Sequence, residues 1–161
     1  MKLVEYNRKS VVNYARKFAL NRNKNYYDFD NIGGDCTNFV SQCVYAGSKI
    51  MNYTPITGWY YISLSDRTPS WSGVQFLYNF LTNNKSIGPF GMVVNRNEIA
   101  IGDVIQLGRT TGEFYHAVVV SDIYNGNILV CSHTRNALDK PIDSYVYERI
   151  RYIKILGVRK N

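Results

Sequence analysis

The chain has 161 residues, 45% apolar and 19% charged, with a formal net charge of +7. That is the length of one ordinary domain, 1–161, with enough apolar material for a single core, so a disordered tail is excluded. No apolar run approaches the roughly 20 residues needed to span a bilayer.

The N-terminus reads MKLVEYNRKSVV, and Glu5, Asn7, Arg8 and Lys9 interrupt the apolar stretch that a signal peptide needs. Location stays open on this reading: cytoplasm, release by lysis or a dedicated secretion system, or a mature fragment. Basic residues gather near both ends, with Arg16, Lys17, Arg22 and Lys24 early and Arg149, Arg151, Lys154, Arg159 and Lys160 late. A basic exterior suits anionic partners such as cell-wall polymers, nucleic acid or a membrane surface, and a plain solvated face explains it equally well.

Residues 8–20 fit a helix, with Val11, Tyr14, Ala15, Phe18 and Ala19 on one face and Asn7 as its cap. Residues 21–34 are polar and end in glycine, which predicts a loop. A second helix is expected over 36–46, where Cys36, Phe39, Val40, Cys43 and Val44 form a narrow apolar stripe made to lie on a sheet. Asp35 stands at its N-cap and Gly47 at its C′ position. Residues 48–71 read as a long irregular stretch whose Trp59, Tyr60 and Trp71 form a cleft wall or simply roof the core. A third helix is expected over 73–82.

After Gly88-Pro89 the pattern turns to strands: Asp103–Leu107, Tyr115–Ile123, Asn127–Thr134, and one or two more over 145–158. Asn125-Gly126 is a strong hairpin signal. Helices first and antiparallel strands afterwards predict an α+β domain.

The chemistry concentrates in Gly33-Gly34-Asp35-Cys36-Thr37-Asn38. A cysteine that opens a helix meets free backbone N–H groups and the positive end of the helix dipole, which are expected to lower its pKa and to bind an oxyanion. Cys36 is the candidate nucleophile, with Asp35, Thr37 and Asn38 in support. Cys43 and Cys131 fit buried structural thiols. An odd cysteine count without close pairs predicts neither a disulfide framework nor a metal site, and no cofactor is implied.

The chain has only two histidines, His116 and His133. With a regular two-residue turn, Tyr124 pairs with Asn127 and Val118 lies opposite His133. That puts both histidines diagonally on one sheet face, whereas a one-residue bulge would separate them. His116 is then the general base and His133 the residue that orients it. Asn136 and Asp139 follow closely and are the alternative orienting groups.

The segments GGDCTNFVSQCVYAG, SW at Trp71, GDVIQL, HAVVVS and SHTRNALDKPI resemble the bacterial "putative amidase domain" family, in the NlpC-like branch of papain-type cysteine peptidases. The resemblance runs from about Tyr6 to Arg159. It implies a papain-like or NlpC-like fold with N-terminal helices packed on a C-terminal antiparallel sheet. It also implies His116 on the second strand, a polar third residue on the next strand at His133, and cell-wall peptides (peptidoglycan) as substrate class. The same chemistry on a protein or small-molecule amide is the second reading. A non-catalytic basic module that binds nucleic acid or cell wall is the third, and no nucleic-acid motif supports it.

Overall fold

Asn7 starts the first helix as its sequence suggests, its side chain accepting the Ser10 N–H at 3.1 Å. In the computed structural model, which describes residues 1–161, this helix α1 spans Arg8–Phe18 and follows a short strand β1, Lys2–Val4. Helix α2 spans Cys36–Ser48 and runs past the expected end at Gly47. Gly47 is no C′ residue. It lies inside the helix where α1 packs against it, and a Cβ there would collide with Val11 Cγ2 and meet Asn7 O at 2.7 Å. Lys49 takes the left-handed turn instead, at φ 58°.

Helix α2 is buried on nearly every side, so its narrow apolar stripe understates its packing. Polar residues on its other faces find partners: Ser41 accepts Trp59 Nε1–H at 3.1 Å, and Asn38 Oδ1 accepts Trp71 Nε1–H at 2.9 Å. The stretch expected to be irregular holds a small hairpin, β2 Tyr61–Ser63 with β3 Asp66–Arg67, and a single turn α3, Pro69–Ser72. Helix α4, Val74–Asn83, matches the expected third helix.

The strands are β4 Gly88–Val94, β5 Val104–Gly108, β6 Phe114–Tyr124, β7 Asn127–Ser132, β8 Ala137–Pro141 and β9 Arg149–Lys160. All pair antiparallel in one seven-stranded sheet, so the domain is α+β. The order runs β1-β9-β5-β6-β7-β8, and β4 lies along the other edge of β9, because Ile153 pairs with both Val104 and Val93. No helix is long and apolar enough to cross a membrane.

Both sheet faces are buried. Val104, Ala117, Val119, Cys131 and Ile153 face the helices, where they meet Val11, Phe39, Val40, Cys43 and Leu77. Ile105, Leu107, Val118, Val120 and Val130 form a second, smaller core on the opposite face with Ile99 and Ile142. This two-sided burial explains the unbroken apolar run at residues 117–120.

The hairpin begins as expected, with Tyr124 opposite Asn127, but the ladder slips between Val120 and Asp122. Cys131 therefore faces Val119, where an unbroken ladder would give Val120. A slip of one residue exchanges the faces of everything beyond it.

Candidate active site

Glycines bring the chain into α2. Gly33 and Gly34 have φ of 81° and 100°, a conformation that side chains with a Cβ seldom adopt, and a Cβ on Gly34 would press on Thr134 Oγ1 at 3.2 Å. The Asp35 N–H donates to Thr134 Oγ1 at 2.8 Å, which ties the helix start to the end of β7. The first intrahelical bond runs from Phe39 N–H to Asp35 C=O at 3.0 Å. The N–H groups of Cys36, Thr37 and Asn38 thus lie ahead of the helix ladder.

Cys36 sits at this end with 7% of its surface exposed. Its sulfur lies 3.8 Å from Thr37 Oγ1, and the backbone N–H groups of Ala117 and Thr37 point at it. Its pKa is nevertheless raised, not lowered as its helix position alone suggests. Burial is the largest cause and the neighbouring Asp35 charge adds to it, outweighing the donors. At neutral pH Cys36 therefore rests as the thiol.

His116 is one residue before Ala117, whose N–H faces the sulfur, but its side chain leaves the sheet on the opposite face. It pairs with Leu107, and its ring rests against Tyr145 with centroids 5.9 Å apart. It makes no hydrogen bond to Cys36 or His133. Burial, then Lys140 and Arg135, lower its pKa to about 4, so the imidazole is neutral at pH 7. The unfolded chain protonates this group near pH 6.5 and the folded chain resists until about pH 4, so its contribution to stability is lost as pH falls through that window. His116→Gln should flatten the fall in melting temperature between those pH values, which thermal melts on both proteins would check.

The expected diagonal pair of histidines is corrected by the slip in β6–β7. His133 keeps the parity of Cys131 and turns to the helix side, where it is 1% exposed and stacks on Phe39 at 4.0 Å. Its Nδ1 lies 2.5 Å from Asp35 Oδ2 and its Nε2 lies 2.6 Å from Phe18 O. Both ring nitrogens are engaged, so His133 does not orient His116. The Asp35 side chain does not cap α2. Its Oδ1 accepts from Phe29 N–H and Asn38 Nδ2 at 2.8 Å each, and Oδ2 faces His133.

The remaining expected residues separate. Thr37 and Asn38 stay beside Cys36, and Asn38 Nδ2 also donates to Tyr27 O at 2.9 Å. Asn136 Oδ1 accepts from Arg22, and Asp139 accepts from Ser121 Oγ at 2.6 Å and Arg16 Nε at 3.2 Å, so neither orients His116. Trp59 and Trp71 are fully buried, with rings 4.8 Å apart, and they roof the core over α2 instead of lining a cleft. Tyr60 is more open and donates its hydroxyl to Asp66 at 2.8 Å. The GD of GDVIQL is a structural anchor: buried Asp103 accepts from Arg8 at 2.7 Å, Ile155 N–H at 2.9 Å and Ala100 N–H at 2.8 Å.

The Asp35–His133 pair is the feature that spacing did not give. A buried acid directly before the candidate nucleophile was a usable signal, since a buried carboxylate needs a cationic or N–H partner.

The family described as "Putative amidase domain" matches residues 5–156, a description that suggests amide hydrolysis. Two curated relatives come from Bacillus subtilis (strain 168). The uncharacterized protein YhbB is 33% identical over 127 residues, covering 77% of this chain and 40% of that protein. The uncharacterized protein YjcM is 26% identical over 144 residues, covering 84% of this chain and 32% of that protein. The chain thus spans two fifths or less of the length of these relatives. No solved structure matches it. Matched along nearly its whole length, the chain belongs to the putative amidase domain family.

Proposed function

We propose that this domain hydrolyses amide bonds through Cys36, with His116 as general base, in a papain-like arrangement of helix and sheet. The observation that carries the reading is the position of the Cys36 sulfur. It lies at the start of a buried helix, faced by the N–H of Ala117, with His116 the adjacent residue. His133 is held by Asp35 and Phe18, so His116 is the imidazole left for proton transfer.

The thiol proton passes to the His116 imidazole as sulfur attacks the carbonyl carbon. The oxyanion is held by N–H groups ahead of the first bond of α2. Imidazolium then protonates the leaving amine as the C–N bond breaks, which leaves a thioester on Cys36. Water, losing its proton to His116, attacks that thioester and releases the acid and the thiol. For this, the His116 ring must leave Tyr145 and swing round the end of β6 to the helix face. We assign that rearrangement to substrate binding, before which catalytic groups are often poorly aligned.

Cell-wall peptides are the proposed substrate class. They are what the family resemblance implies, and the net charge of +7 favours anionic wall polymers as surroundings. Hydrolysis of defined wall muropeptides, followed by mass spectrometry, tests substrate and bond together. Release of no fragment from muropeptides, with turnover of a simple peptide amide, would keep the chemistry and discard the substrate.

Thiol labelling tests the nucleophile without a substrate. Cys43 and Cys131 are fully buried, and burial raises both pKa values, so an alkylating reagent should modify Cys36 first. Because the Cys36 pKa is raised as well, labelling should be slow at pH 7 and should still accelerate above pH 9. Mass mapping over a pH series would show it, and equal labelling of the three cysteines would contradict it.

A further inference from the structure

A concave site lies away from Cys36, between α4 and the loop that precedes β2. Its volume is about 620 Å³, within the range of ligand pockets. No aspartate or glutamate lines it. One wall is the turn Thr54–Gly58, closed at its base by the Asn52–Trp59 bridge and by Gly58 N–H to Thr54 O at 2.9 Å. At the tip of that turn Ile56 has φ 67° and is 77% exposed. A β-branched residue in the left-handed region is strained, and here no burial compensates the strain. The opposite wall carries Phe76, 56% exposed.

The polar groups on that wall are presented in a fixed order. Asn79 Oδ1 accepts from Gln75 at 2.9 Å, which turns its Nδ2 outward. Asn83 Nδ2 donates to Asn79 O at 2.8 Å, which leaves its Oδ1 free. The two asparagines are one helical turn apart on one face of α4, so an unused amide donor stands beside an unused amide acceptor. An acetamido group carries the matching acceptor and donor. An exposed ring and an aliphatic tip suit the C–H face of a pyranose.

We infer that this cleft binds an N-acetylated oligosaccharide, with Phe76 and Ile56 gripping a sugar ring and Asn79 and Asn83 reading its acetamido group. The cleft floor connects to the Cys36 helix through Ser70 and Trp71, since Trp71 Nε1 donates to Asn38 at 2.9 Å. Binding at the cleft itself requires none of the chemistry proposed for Cys36.

The test is a titration of the intact ¹⁵N-labelled chain with chitotetraose and, separately, cellotetraose. Chitotetraose should shift the amides of Ile56 and of the Asn79–Ser86 segment and bind at least tenfold tighter than cellotetraose. Phe76→Ala, which removes an exposed ring, should weaken chitotetraose binding at least tenfold at unchanged melting temperature. Ile56→Asn tolerates the left-handed backbone, so it should keep or raise the melting temperature while weakening binding. Absence of cleft shifts, equal affinity for the two sugars, or full binding by Phe76→Ala would each overturn the inference.

Discussion

Cys36→Ala should abolish amide hydrolysis while leaving the domain folded. The substitution removes a sulfur at the end of a helix, and the alanine side chain fits without rearrangement beside Thr37 and the Ala117 N–H. The stability cost should be of the order of 1 kcal/mol, the low side of core truncations, because the site borders solvent. The rate should fall by about a thousandfold or more, since no other group can form the thioester. His116→Ala should cost a comparable factor, because nucleophile and base act as a unit. Cys36→Ser should be nearly as inactive, as a hydroxyl is far less acidic than a thiol. Steady-state kinetics on one muropeptide, beside a denaturation curve for each variant, separates chemistry from folding. Near wild-type turnover in a folded Cys36→Ala protein would end the proposed mechanism.

How much of this was legible in the sequence depends on whether the signal was local. The start of α1 at Asn7, the start of α2 at Cys36, the extent of α4 and the Asn125-Gly126 turn all follow from nearest-neighbour chemistry, and the structure has them. β4 carries weaker alternation and is stabilised by β9, a partner distant in sequence, while β8 follows β7 through a turn whose left-handed residues are Thr134 and Arg135 and not glycine, so local pattern did not mark either strand. The histidine geometry failed for one reason. A single slip near Ser121, whose Oγ donates to Asp139, changes the parity of everything beyond it. Beside the slip β6 touches β8 through that bond, a third strand that hairpin arithmetic does not contain. The same limit applies to Trp59 and Trp71. Their indole N–H groups are used by Ser41 and Asn38 of α2, a tertiary fact that turns an expected cleft wall into a roof.

His133→Ala should destabilise the domain more than any substitution at Cys36, by about 3–5 kcal/mol, the usual cost of leaving one partner of a buried pair alone. The geometry fixes the protons. The Phe18 carbonyl can only accept, so His133 Nε2 carries hydrogen. One further proton is then shared between Nδ1 and Asp35 Oδ2. Asp35 also accepts from Phe29 N–H and Asn38 Nδ2, and Arg22 Nε lies 3.7 Å away, so three N–H donors and a guanidinium surround this one side chain. Removing the imidazole strands that carboxylate and opens a void against Phe39. Asp35→Ala should cost a similar amount for the converse reason. Asp35→Asn should cost less than either. Its amide oxygen can keep both N–H donors while its NH₂ donates to Nδ1 of a neutral imidazole, so every hydrogen bond survives without a buried charge. The same variant removes the aspartate charge that raises the Cys36 pKa, so alkylation of Cys36 at pH 7 should become faster. Denaturant unfolding of the three variants gives the order, and labelling kinetics on Asp35→Asn checks the charge. If His133→Ala unfolds within 1 kcal/mol of wild type (about the typical effect of a point substitution), the buried pair is not what holds the start of α2 to the end of β7.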